Sequence, residues 1–124
     1  MEKLVLIARY LLGIIFFVFG LNGFLHFIPQ PPLSTEAMTF FGGLMAAPYF
    51  FPLLKGLEVI SGLMLLSNKY VSLALALLAP IVVNIFLYHI TLDIAGGGAA
   101  YLATILTAYL ISKNWSSYTN LFKA

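Results

Sequence analysis

The sequence contains no cysteine. That absence excludes disulfides, thiolate zinc sites, iron–sulfur ligation and Cys-x-x-Cys redox chemistry. Charge is nearly as scarce, at 8% of 124 residues, where soluble domains carry about 25%. No basic run is present, so nothing points to nucleic acid. Gly96-Gly97-Gly98 lacks the spacing and the preceding strand of a phosphate loop.

What fills the chain instead is apolar: 62% of residues are hydrophobic and the mean hydropathy is +1.04. A water-soluble core of this size cannot bury that much apolar surface, whereas a bilayer is a solvent that accepts it. The pattern predicts an all-α membrane protein, a bundle of four transmembrane helices in one domain. Spans are expected at about 4–27, 49–66, 70–92 and 99–112. A short extra helix is expected at about 35–47, between the first and second spans, capped by Ser34 with Glu36 in its first turn. The prolines at 29, 31 and 32 stop the first span, Ser67-Asn68-Lys69 makes a tight turn, and Asp93 with the triple glycine makes another. Residues 113–124 read as a polar tail. The first apolar run is too long for a signal peptide, and no small-x-small cleavage site follows it, so it reads as a retained span.

Lysine and arginine set the expected orientation. With the N-terminus inside, the inner flanks hold Lys3, Arg9, Lys69, Lys113 and Lys123, and the outer loops hold Glu36 and Asp93. The expectation is the cytoplasmic membrane with both termini cytoplasmic.

Ionisable and amide side chains within spans are costly and mark candidate sites. Asn22 and His26 lie near the outer end of the first span, four apart on one face. Lys55 and Glu58 lie in the outer half of the second, three apart and able to pair. Asn84, Tyr88 and His89 lie toward the outer end of the third, and Tyr101 and Thr104 open the fourth. All four spans thus bring polar groups to one outer level, which predicts a single ligand pocket lined by Asn22, His26, Lys55, Glu58, Asn84, Tyr88 and His89. Pro80 frees the carbonyl of Ala76 and permits a bend that widens it.

Each group also has a structural reading. Lys55 and Glu58 can neutralise each other, Asn22 and Asn84 can hydrogen-bond between helices, and His26 and His89 can sit among headgroups. Tyr10, Tyr49, Tyr70, Tyr101 and Trp115 fit an aromatic belt, and Gly13 and Gly20 fit close helix packing. Two histidines could ligate a haem, or hold a metal with Glu58 or Asp93, although an outer cluster explains them without a cofactor.

The chain resembles the DoxX-like family of small four-helix membrane proteins. The resemblance rests on Arg9-Tyr10-Leu11-Leu12-Gly13, on Phe19-Gly20-Leu21-Asn22-Gly23-Phe24, on Lys55-Gly56-Leu57-Glu58 running to Ser61-Gly62, and on Ala79-Pro80 running to Asn84 and Tyr88-His89. It covers nearly the whole chain. It implies a bundle in the cytoplasmic membrane, an association with membrane redox or oxidative-stress complexes, and Glu58 and Asn84 as pocket residues. The chain departs from the family at Asn22, in a stretch that often carries a basic residue. The function expected is a redox-associated subunit that binds a small lipid-soluble ligand such as a quinone, whose carbonyls need donors and whose ring needs apolar walls. Its partners would be the bilayer and other membrane redox subunits or further copies of itself. The alternatives are a non-catalytic accessory or assembly subunit, and a small transporter. The transporter is disfavoured by an inner half without ionisable groups to complete a path.

Overall fold

A computed structural model describes residues 2–27, 32–94 and 97–122, with the side chain of Glu2 left out. The proline stop before Pro32, Gly96 and Lys123 lie outside the described residues. The elements are all helical: α1 (Glu2–Leu25), α2 (Thr35–Met45), α3 (Phe50–Ser67), α4 (Val71–Leu92) and α5 (Gly98–Lys113), followed by 3-10 turns at Trp115–Ser117 and Thr119–Phe122. These bounds fall within about two residues of those the apolar runs predict. Three helices have the length and composition of membrane spans: Lys3–Leu25, Phe50–Ser67 and Val71–Leu92. At 16 residues, α5 is shorter than any of them.

Local chemistry explains the ends. The Ala37 amide donates to Ser34 Oγ at 3.1 Å, the expected cap of α2. Asn68 closes α3 in the left-handed conformation that asparagine tolerates, and Tyr70 follows with φ +55°. α1 ends on a third residue with positive φ, His26, whose amide donates to the Asn22 carbonyl at 2.8 Å. Pro80 does not break α4, which runs continuously through it.

The four long helices alternate in direction, and the packed neighbours are α1 with α3, α3 with α4, α4 with α5 and α5 with α1. Closest of all are α1 and α3, because glycines remove the side chains between them. A Cβ on Gly62 would lie 2.6 Å from the Phe17 amide nitrogen, and one on Gly20 would lie 2.9 Å from that of Val59. Small residues let backbones approach where lipid gives no hydrophobic drive for association.

The apolar core is weighted toward the end where α1 begins and α5 ends. Ala8 and Leu12 of α1, Leu65 of α3, Leu75 and Leu78 of α4 and Leu110 of α5 lie there, and Phe16, Val82 and Ala103 carry the core past the middle of the bundle. Two expectations are corrected there. Arg9 is not a surface flank but is buried, its guanidinium donating to the Leu65 carbonyl near the end of α3 and lying 4.5 Å from the Tyr10 ring. The carbonyls of a last helical turn lack intrahelical donors, and a cation there also suits the helix dipole. The tail, expected to be polar, also reaches the core. Tyr118 is buried in the core, and its hydroxyl donates to the Ser72 carbonyl at 2.8 Å. Burial holds that hydroxyl above the ordinary tyrosine range, so it remains a donor.

Candidate functional site

The opposite end, bounded by α2 and the α4–α5 turn, holds most of the polar side chains singled out in the sequence. On α3, Phe51, Lys55, Glu58 and Gly62 follow one another at spacings of four, three and four, and so share a face. That face meets α1: a Cβ on Gly20 would lie 3.1 Å from the Glu58 Cβ, and Gly23 makes room for the stem of Lys55. Lys55 Nζ stands 3.4 Å from Glu58 Oε1. Glu58 is only 2% exposed, and a carboxylate there without a cation would carry the full cost of desolvation.

Beside this pair lies an aromatic roof. α2 sets Phe40 and Phe41 against Tyr88 of α4, with ring centres 5.5 and 5.0 Å apart. Phe41 also reaches Phe51 at 6.0 Å, so it stands between Tyr88 and the face that carries Lys55 and Glu58. Under this roof the Tyr88 hydroxyl is buried and meets no hydrogen-bond partner among the described residues. The hydroxyls of Ser61 and Thr107 are also buried without partners among the described residues. Those two are short side chains that can turn back to a carbonyl of their own helix. A tyrosine hydroxyl sits too far from its backbone to do so, and it needs an acceptor from elsewhere.

Next to Tyr88, His89 Nδ1 lies 3.1 Å from the Asp93 carbonyl oxygen and 3.6 Å from its carboxylate. Tyr101 of α5 donates to the Ile94 carbonyl at 3.1 Å and lies 6.4 Å from the His89 ring, which ties the start of α5 to this end.

Of the seven expected site residues, Lys55 with Glu58 and Tyr88 with His89 form two groups with Phe41 between them. Asn22 is half-buried on α1, next to the glycine that seats Lys55. Two residues lie apart. His26 is exposed, because its left-handed backbone ends α1. Asn84 is exposed on α4, and its amide donates to the Pro80 carbonyl at 2.9 Å. Sequence reading missed Phe40 and Phe41 as the roof and Asp93 as the partner of His89. The adjacent phenylalanines on a capped, mostly apolar short helix were the available signal for the roof.

Among the described residues, no three His, Asp or Glu side chains gather as a metal-binding group. Two apolar grooves open elsewhere, one between α1 and α5 beside Ile7 and Ile105, the other between α4 and α5 beside Ala79 and Thr107. None of the seven residues lines either groove. Comparison with family models, with curated proteins and with solved structures gives no match.

Proposed function

We propose that the chain is a DoxX-like multi-pass protein of the cytoplasmic membrane that binds a small lipid-soluble ligand, of the quinone class, beneath α2. In this reading α5 is the fourth span and both termini are cytoplasmic. Lys3, Lys69 and Lys113 then lie on the inner side, and Glu36 and Asp93 on the outer. One observation carries the ligand reading: the Tyr88 hydroxyl is buried under the aromatic roof with no acceptor among the described residues. A quinone carbonyl is such an acceptor, and Phe40, Phe41 and Phe51 are flat apolar surfaces for its ring. His89 and the Lys55–Glu58 pair stand nearby to take up changes of charge at the ligand. The two apolar grooves do not reach Tyr88, and in this reading α2 shifts to admit the ligand.

The test is thermal stability in lipid nanodiscs with and without a short-chain quinone. A ligand at about 100 times its Kd should stabilise the protein by about 2.7 kcal/mol. Tyr88→Phe should abolish that gain, and Glu58→Gln should reduce it. A chain indifferent to quinones, or a Tyr88→Phe variant that responds like the parent, would sink the proposal. A second reading, an accessory subunit without chemistry, draws support from internal pairing: Lys55 with Glu58, and His89 with Asp93. Its mark would be co-purification of a larger partner that survives both substitutions.

A further inference from the structure

α4 turns one face away from the other helices. Leu73, Ala76, Pro80, Val83, Leu87 and Ile90 are exposed along it, at alternating spacings of three and four. That 3.5-residue period suits a left-handed helix pair. Asn84 lies on the same face, roughly 12 Å from the end of the helix at 1.5 Å per residue. If α4 spans the bilayer, this places an amide against hydrocarbon.

The amide is only partly satisfied. One N–H donates to the Pro80 carbonyl. Its second N–H and its oxygen meet no partner among the described residues. Thr91, the other polar residue on this face, donates its hydroxyl to the Leu87 carbonyl at 2.7 Å and so is satisfied by its own helix. Asn84 therefore brings a spare donor and a spare acceptor together to a surface where lipid tails supply neither.

An amide is its own complement. Two copies inserted the same way run their α4 helices parallel, and a two-fold axis along the membrane normal sets each residue opposite itself. Each Asn84 can then donate to the oxygen of the other. We propose that this face binds a second copy of the chain, α4 against α4, with the Asn84 amides hydrogen-bonded across the axis. The proposal uses the membrane placement of α4 and is independent of the ligand.

The lack of native cysteine makes the test direct. Single-cysteine variants of the full chain, in membranes, are oxidised and read as disulfide dimers. Leu87→Cys on this face should cross-link, and Ile60→Cys, exposed on α3, should not. Adding Asn84→Leu to Leu87→Cys should weaken dimerisation about three- to thirtyfold, the range for an interhelical polar contact in a membrane. Asn84→Gln, which keeps the amide, should restore most of it. Equal cross-linking at both sites would overturn the proposal, as would indifference to Asn84→Leu or a cross-link to a protein of different mass. Release of the parent chain from membranes by alkaline carbonate would overturn the membrane reading as well, whereas retention with uniform cross-linking would overturn the dimer alone.

Discussion

Two tyrosines at opposite ends of the bundle show how differently those ends are built. Tyr118, beside the termini, donates its hydroxyl to the Ser72 carbonyl and joins the apolar core. Tyr88, under α2, has its hydroxyl buried with no acceptor among the described residues. The same contrast holds for the cations. Arg9 serves the end of α3 by donating to the Leu65 carbonyl, and the leucine-rich core lies around that level. Lys55 at the far end answers a buried carboxylate. The terminal end is finished as a structure but for the short hydroxyls of Ser61 and Thr107, which can turn back to carbonyls of their own helices. The far end keeps an ionisable pair and an unanswered donor, which structure alone does not require. A buried polar group without a partner lowers stability, so it points to a partner outside the fold.

The strongest way to break this comparison is to disturb the helix pair that serves both ends. Gly62→Ala gains about 1 kcal/mol of helix propensity. Its Cβ would meet backbone of α1, which cannot yield as a side chain can. We expect a net loss of about 3 kcal/mol in thermal or denaturant unfolding in detergent. The nearest neighbours of a Cβ on Gly23 all belong to the flexible stem of Lys55, so Gly23→Ala should cost far less and act mainly on the Lys55–Glu58 pair. Similar losses from both would contradict the backbone-contact account. Next in size is Arg9→Ala, which removes a charged donor from the Leu65 carbonyl and the buried stem behind it. A loss of about 2 kcal/mol is expected, with quinone response unchanged.

Much of this architecture was legible in the sequence. The apolar runs carried helix positions, because length and hydropathy suffice for an apolar span. Ser34 announced the cap of α2, and the three-residue interval announced the Lys55–Glu58 pair. Illegible were facts that depend on which way a helix turns. Asn84 fell on an outward face because α4 packs on α3 and α5 with its leucine side. His26 left the cluster because it became the left-handed stop of α1. Arg9 looked like any basic flank, since only the three-dimensional end of α3 gives it an acceptor. The roof over Tyr88 depended on how α2 folds back, which no periodicity in residues 35–47 specifies.

The central claim, that one end is complete and the other awaits a partner, is tested most directly by removing one oxygen at each end. Tyr118→Phe and Tyr88→Phe delete the same atom from a buried and a half-buried ring, and unfolding of both is compared with the parent without ligand. The account predicts that Tyr118→Phe costs about 1 kcal/mol, the net worth of its hydrogen bond, while Tyr88→Phe costs nothing or stabilises by up to about 1 kcal/mol. Equal losses would mean that the Tyr88 hydroxyl already has its acceptor within the fold, and the claim would fail.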